Sequence, residues 1–270
     1  MQLSIDDMRA IELGVMDEID RVCRAHGLRY VLAYGSLIGA ARHQGFIPWD
    51  DDMDIMMPRE DYEVFAANFD EWRSDERFAA ESYRDGVHFS SFVKVVDNTT
   101  AVRENFLRKD IVSGVWVDVF PIDYLGDNAK PTLKKIGRLS WTRSFIVADP
   151  NVGSSALARL VKKIVCPLVS GRDPREYSRR IDELAQTCGD AATAKRMGYL
   201  LDGDIEGYFM PREWLDEVVE LPFEGRSYLA PKLYDQMLAT TYGNWRIPPA
   251  EADRAVHTAQ AVRLSEVTGA

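Results

Sequence analysis

The chain is short of cysteine, of basic charge and of long apolar runs, and each shortage removes a class of protein. Its three cysteines, Cys23, Cys166 and Cys188, lie far apart and share no C-x-x-C or Cys/His spacing. Neither a zinc site nor a disulfide framework is indicated, and a reducing compartment is expected. His43 and His257 have no metal-binding spacing either. With 33 Lys+Arg against 43 Asp+Glu the net charge is −10, which excludes a nucleic-acid binder that relies on a basic footprint over the whole chain. No window holds 18 uninterrupted apolar residues, so no membrane span is predicted. The acidic start, Met1-Gln2-Leu3-Ser4-Ile5-Asp6-Asp7, leads into an amphipathic segment and does not read as a secretory signal. Internal repeats and low-complexity tracts are missing as well.

What is there suits an ordinary globular protein: 270 residues, 46% hydrophobic and 28% charged. At about 150 residues per domain this is one large domain or a core with an appended piece. Met8, Ile11, Val15, Ile19 and Val22 recur at helical spacing and predict a helix over 4–26 that Gly27 closes. A β-rich run over 29–34 enters the small-residue turn Gly35-Ser36, followed by a short helix over 37–43 and a loop over 45–49. A strand over 52–57 places Asp52 and Asp54 on one face. A helix over 59–72 follows, then strands over 78–83, 89–96, 99–104 and 115–120. Helices are expected over 155–169, ended by Pro167, and over 174–187. A strand over 226–229 and a helix over 231–242 complete the reading.

Charge is segregated along the chain. Residues 129–200 hold 14 basic and 6 acidic residues, a net +8 that leaves −18 for the remainder. The expected organisation is a core over 1–128, a mainly helical basic insertion over 129–200, and a C-terminal part over 201–270 that completes the core. Arg159, Lys162 and Lys163 make the 155–169 helix basic and amphipathic; it is either a packing helix with basic outer positions or an element facing an anionic membrane surface.

The informative stretch is Tyr34-Gly35-Ser36, then fifteen residues, then Asp52-Met53-Asp54-Ile55. Gly35 has no Cβ to obstruct a phosphate, so backbone N–H groups and the Ser36 hydroxyl can approach one closely. Carboxylates at i and i+2 on one strand face can hold a divalent cation over it, and hard oxygen ligands suit Mg²⁺ or Mn²⁺. This is phosphoryl-transfer chemistry. Asp118 is the candidate third carboxylate, because Val115-Trp116-Val117-Asp118-Val119-Phe120 sets one charge within an apolar strand, where it is costly unpaired. Its alternative is a salt bridge or a strand-end position. Asp50 shares the parity of Asp52 and Asp54 and is a further ligand or an orienting group, whereas Asp123, past Pro121, reads as a turn residue.

Two other readings use the same acids. Asp50-Asp51-Asp52-Met53-Asp54 matches the D-D-x-x-D of prenyl-transfer enzymes, but that motif needs a helix, and Pro48 and Pro58 flank it here. A calcium-binding loop of the EF-hand kind needs a glycine and a terminal glutamate that the run lacks.

From Gly35-Ser36-Leu37-Ile38-Gly39-Ala40-Ala41-Arg42-His43 through Phe46-Ile47-Pro48-Trp49-Asp50-Asp51-Asp52-Met53-Asp54-Ile55, the sequence resembles the signature of the LicD family, related to fukutin-type proteins of the nucleotidyltransferase superfamily. Trp116 to Asp123, Phe223-Glu224-Gly225, Pro231, Tyr234-Asp235, Tyr242-Gly243-Asn244-Trp245 and His257 extend the likeness. It covers most of 5–125 and 205–258 and leaves the basic middle unmatched. The turn and the carboxylates are further apart than is usual in the superfamily, which a LicD-type insertion accounts for.

The resemblance implies an α/β (α+β) fold, a nucleotidyltransferase-like mixed sheet with flanking helices and a helical insertion, and makes the core over 1–128 the catalytic, nucleotidyltransferase-like part. It implies metal-dependent transfer of a phospho-substituent, chiefly phosphocholine from CDP-choline with CMP released, onto a hydroxyl of a cell-surface glycan or its precursor, such as a teichoic acid, lipopolysaccharide or capsule precursor. CDP-ribitol or another CDP-alditol is the alternative donor, and a non-catalytic glycan-binding scaffold the alternative function. In these terms Asp52 and Asp54 are metal ligands, Asp118 the third carboxylate or the base, and Gly35 and Ser36 the phosphate cradle. By their own positions Arg42 either meets the donor's phosphates or pairs in a salt bridge, and Lys94 either meets them or snorkels to solvent. No nucleic-acid partner is expected. The location implied is cytoplasmic, with peripheral membrane contact through 156–169. A choline group would want aromatic faces and a carboxylate, for which Tyr34, Trp49, Tyr83 and Trp116 are the candidates.

Overall fold

Spacing and capping act together at the start of the chain. Ser4 and Asp7 cap helix α1 (Ile5–His26) reciprocally, and Gly27 ends it at a φ of 67°, the left-handed conformation glycine adopts without penalty. The buried stripe includes Val15, Met16, Ile19 and Val22, all fully enclosed. The computed structural model describes residues 2–205, 209–251, 254 and 259–264; His257 lies outside them.

After α1 come β1 (Val31–Leu32), α2 (Tyr34–His43), β2 (Met53–Pro58), α3 (Arg59–Trp72), β3 (Phe78–Glu81), β4 (Val93–Glu104) and β5 (Ser113–Leu125). Helices α4 (Lys130–Val147), α5 (Ala156–Val169) and α6 (Pro174–Ala185) follow. Then come β6 (Arg196–Gly198), β7 (Phe209–Pro211), β8 (Val218–Phe223), β9 (Arg226–Pro231), α7 (Tyr234–Tyr242) and β10 (Ala259–Arg263). The result is a mixed α/β fold. Its main sheet runs β1-β2-β5-β4-β10, with β3 on β4 and β6 and β7 continuing from β5, while β8 and β9 form a separate hairpin. The pairing of β2 with β5 is parallel; the other strand pairs are antiparallel.

Strict alternation decides what each face of the centre does. Met53, Ile55, Met57, Val117, Val119, Val93 and Val95 are buried in the main core, whereas Trp116, Asp118 and Phe120 on the other face of β5 are only half-buried. That second face is where the site is built.

Several expectations are corrected. The runs over 89–96 and 99–104 form one strand, β4, whose register against β5 shifts between Asp97 and Val102. Helix α2 starts at Tyr34, so Gly35 and Ser36 lie in its first turn and not ahead of it. Pro167 sits inside the last turn of α5. Asp123 is not a turn residue: β5 continues through Pro121, and Asp123 pairs with Gly198 of β6. It is 1% exposed, and Arg59 donates to both of its oxygens, at 2.7 and 2.6 Å.

Arg59 also reaches Asp182 of α6 at 2.8 Å, and Arg84 and Tyr83 both donate to the other oxygen of Asp182 at 2.8 Å. This network joins α3 and β5 to α6. Burial pushes the Asp123 carboxyl up while Arg59 opposes it. Removing one partner of a buried charge set strands the others, at about 3–5 kcal/mol. Arg59→Leu should therefore lower unfolding free energy by that amount in urea titration; a loss under about 1 kcal/mol would show that the network does not hold α6 to the sheet.

Candidate active site

The parallel register of β2 and β5 sets Asp54 beside Asp118, and the antiparallel register of β5 and β4 sets Lys94 on the other side of Asp118. Register partners project to one face, so the three side chains form a row across the sheet. Lys94 Nζ donates to Asp118 Oδ1 at 2.8 Å and lies 4.0 Å from the centre of the Trp116 ring. Asp50 and Asp52, half-buried, stand in the loop that leads into β2. Asp54 is 9% exposed. Its carboxyl is driven well above the ordinary carboxylate range, first by burial and then by the charges of Asp52, Asp118 and Asp50, with Lys94 opposing.

Two hydrogen bonds lash the start of α2 to this row. Ala33 N–H donates to the Asp54 carbonyl at 2.9 Å, and Asp54 N–H donates to Ser36 Oγ at 2.8 Å. A Cβ at position 35 would lie 2.5 Å from Asp50 Oδ2, so glycine is what lets the acidic loop come this close. No side chain caps α2, and the amide N–H groups of a helix's first turn form an anion site. Tyr34 takes a φ of 43°, a left-handed conformation that costs about 1–3 kcal/mol outside glycine; its ring meets Phe120 edge-on at 5.4 Å.

Asp50, Asp52, Asp54, Asp118, Gly35, Ser36 and Lys94 thus come together, although Lys94 is spent on Asp118. Arg42 does not join them. It lies six residues beyond Ser36, about 9 Å along the helix, where it donates to the Trp245 carbonyl at 2.7 Å and to His43 at 2.9 Å. Of the aromatic candidates, Tyr34 lines a cleft of about 480 Å³ with Phe92, Phe120 and Tyr199. Tyr83 is tied to Asp182, Trp49 lies beneath Arg254 at 4.1 Å, and Trp116 is covered by Lys94. An adjoining cavity of about 360 Å³ is lined in part by Lys94, Arg143 and Lys162.

Two residues of α1 belong to the site and were missed. Arg9 donates to the carbonyls of Ile47, Pro48 and Asp50 at 2.6–3.1 Å, clamping the acidic loop. Its signal was a base near a helix N-terminus, where acids are the rule. Glu12 is 2% exposed, and its Oε2 has no hydrogen-bond partner. Burial, then Asp52, Asp51 and Asp54, push its carboxyl well up. Its signal was an acid inside the apolar stripe, four residues after Met8 and three before Val15.

A divalent cation fits this chemistry. The donors are hard carboxylate oxygens crowded beyond what Lys94 neutralises, and a buried unpartnered Glu12 oxygen adds to the excess. Among the described residues no three His, Cys, Asp or Glu side chains are gathered closely enough to hold an ion by themselves. Mg²⁺ and Mn²⁺ characteristically take one or two carboxylates and complete their shell with substrate phosphates and water.

Burial and the neighbouring acids make Asp54 costly to ionise in the folded chain. Asp54→Asn should raise the melting temperature of the metal-free protein at pH 7 by roughly 2–4 °C, equivalent to about 1 kcal/mol, and reduce the further rise that Mn²⁺ confers. A fall in melting temperature with the Mn²⁺ effect intact would contradict this.

Residues 27–130 match the family described as LicD/FKTN/FKRP, nucleotidyltransferase domain. Over 281 aligned positions the chain is 27% identical to the lipopolysaccharide cholinephosphotransferase LicD of Haemophilus influenzae, covering 97% of this chain and 99% of that protein. Over 40 residues it is 55% identical to the ribitol 5-phosphate transferase FKRP of human and of mouse, 15% of this chain and 8% of each relative. The stretch that carries the acid row and the start of α2 is thus the part of the chain that is similar to the LicD/FKTN/FKRP nucleotidyltransferase domain.

Proposed function

We propose that the protein is a divalent-metal-dependent phosphotransferase that moves a phospho-substituent, phosphocholine from CDP-choline, onto a hydroxyl of a cell-surface glycan or its precursor. The observation that carries the reading is the row Asp54, Asp118 and Lys94 beside the uncapped start of α2. Phosphocholine is favoured over ribitol phosphate because the likeness to the cholinephosphotransferase runs the length of both chains, whereas that to the ribitol 5-phosphate transferase spans 40 residues.

A Mg²⁺ or Mn²⁺ ion at Asp52 and Asp54, with Asp50 beside them, would neutralise the donor's diphosphate and the charge that builds on departing CMP. The amide groups around Gly35 and Ser36 hold the donor phosphate. The acceptor oxygen bonds to the phosphorus that carries choline, and the bond from that phosphorus to the bridging oxygen breaks, its electron pair leaving with CMP. Asp118 receives the hydroxyl proton. Lys94 fixes its orientation from the far side, a positioning role in general base catalysis.

These roles separate by measurement. With CDP-choline, Mn²⁺ and lipopolysaccharide or teichoic acid acceptors, the protein should release CMP only when the acceptor is present. Asp52→Asn and Asp54→Asn should lower turnover by more than about 100-fold and weaken Mn²⁺ binding. Asp118→Asn should lower kcat by about 10²–10⁴-fold with Mn²⁺ binding retained. Failure to release CMP from CDP-choline, CDP-ribitol and other CDP-alditols would favour the glycan-binding scaffold.

The same reading extends to where the acceptor is met. Among the described residues no helix is long and apolar enough to cross a membrane. Helix α5, however, turns Leu157, Leu160, Val161, Ile164 and Leu168 outward, 38–74% exposed, on one face at helical spacing, with Arg159 and Lys163 alongside. The packing-helix expectation required this face to be inside. An apolar stripe edged by cations suits an anionic lipid surface, where lipid-linked glycan precursors reside. The full chain should co-sediment with phosphatidylglycerol vesicles but not with phosphatidylcholine vesicles, and Leu160→Ser with Ile164→Ser should abolish this. Unchanged sedimentation, or dimers in vesicle-free solution that the same pair disperses, would overturn it.

A further inference from the structure

The cleft beside the acid row has a composition that the phosphate chemistry does not explain. Four half-buried rings line it: Tyr34, Phe92, Phe120 and Tyr199. They form one cluster, with Phe120 at 4.5 Å from Phe92, 5.1 Å from Tyr199 and 5.4 Å from Tyr34, and Phe92 at 6.3 Å from Tyr199. The remaining lining is charged: Asp202, Asp204 and Arg143. Both aspartates are exposed. Arg143 turns its guanidinium to the hydroxyls of Ser178, at 2.9 Å, and Ser91. The lining therefore carries two acids to one base.

Its place relative to the reaction follows from strand period. Phe120 is two residues beyond Asp118 on β5, and Phe92 two residues before Lys94 at the start of β4, so both rings project to the same face as the acid row. The pleat repeat puts them about 7 Å farther along the sheet. Tyr34 comes from the residue before Gly35, joining the cleft to the phosphate-binding start of α2. A group attached to the transferred phosphorus by a short spacer would enter this cleft, whose volume of about 480 Å³ falls within the roughly 300–1,000 Å³ of small-molecule sites.

We propose that Tyr34, Phe92, Phe120 and Tyr199, with Asp202 and Asp204 at the rim, form a subsite for a quaternary ammonium group, so that the cleft selects a cationic phospho-substituent over a polyol. The inference rests on the phosphotransferase reading and assigns residues to one arm of its donor. Aromatic faces attract a cation that cannot donate hydrogen bonds. The ring faces themselves offer a ribitol chain's hydroxyls no partners in place of water, so a polyol is left with only the tyrosine hydroxyls and the charged groups of the lining. A trimethylammonium group linked to phosphate by two carbons has the charge, the apolar surface and the reach.

The test is calorimetric binding to the full chain with Mg²⁺ present, using CMP, CDP-choline, CDP-ribitol, and the uncharged analogue in which a tert-butyl group replaces trimethylammonium. CDP-choline should bind about tenfold more tightly than either the analogue or CDP-ribitol. Phe120→Leu and Tyr199→Leu should each erase most of that preference while CMP binds as before, the CMP arm also reporting that the variants fold. Asp202→Asn should narrow the gap between CDP-choline and its uncharged analogue. Equal affinity for the charged and uncharged donors, a preference for CDP-ribitol, or ring variants that leave the ratios unchanged would overturn the subsite while the phosphotransferase reading stands. Failure of CMP and all three donors to bind would overturn both.

Discussion

Like-charge crowding on one sheet face is the constraint around which this protein is arranged. The parallel pairing of β2 with β5 sets Asp54 against Asp118, and the loop before β2 adds Asp50 and Asp52 to a place already closed on one side by Glu12 of α1. Buried carboxylates of one sign repel and lose hydration, and Lys94 offsets this by pairing with Asp118 and, at longer range, by opposing the shift at Asp54. What keeps the arrangement in place is backbone chemistry. Ala33 and Ser36 bond to both peptide groups of Asp54, and Arg9 holds three carbonyls of the acidic loop from the opposite element. The main chain of the site is thus tied by hydrogen bonds while its carboxylates outnumber the cation paired with them, an arrangement that favours a divalent cation and an anionic donor binding with little reorganisation.

Arg59 does the comparable work for the rest of the molecule. Its guanidinium is shared between Asp123 on the long β5 strand and Asp182 on α6, so the strand that carries Asp118 is also the one to which the helical segment is fastened. Tyr199, Asp202 and Arg143, which line the cleft beside the acids, come from this same part of the chain, within or just beyond residues 130–198. The basic helices therefore contribute to the wall of the site as well as to its surroundings. The net −10 divides accordingly into an acidic centre suited to cations and a basic flank suited to an anionic surface or substrate.

The parts of the fold that were legible in sequence are those with local signals. The helical stripe from Met8 to Val22, the Ser4 and Gly27 ends, and the alternation about Asp118 each follow from period and capping within one segment. Short β6, β7 and β10 carry no such signal, because their strand character comes from partners far away in sequence. Asp123 was misread because Pro121 looked like a strand end; the parallel partner strand meets Pro121 at Met57 and continues. Tyr34, the one expected aromatic at the cleft, is fixed by its neighbour Gly35, whereas Phe92, Phe120 and Tyr199 meet it only through sheet register. Arg42 lies within the signature in sequence, but six residues of helix carry it about 9 Å from Ser36.

On the proposed reading, the acid row beside α2 binds a metal and the phosphate of a cytidine nucleotide together. Anomalous diffraction from crystals grown with Mn²⁺ and CMP decides between joint binding and its absence. The expected result is a manganese peak at the carboxylates of Asp52 and Asp54, with the nucleotide phosphate against the amides of Gly35 and Ser36. An empty acid row, or CMP bound away from α2 while manganese occupies some other group of side chains, would contradict the account.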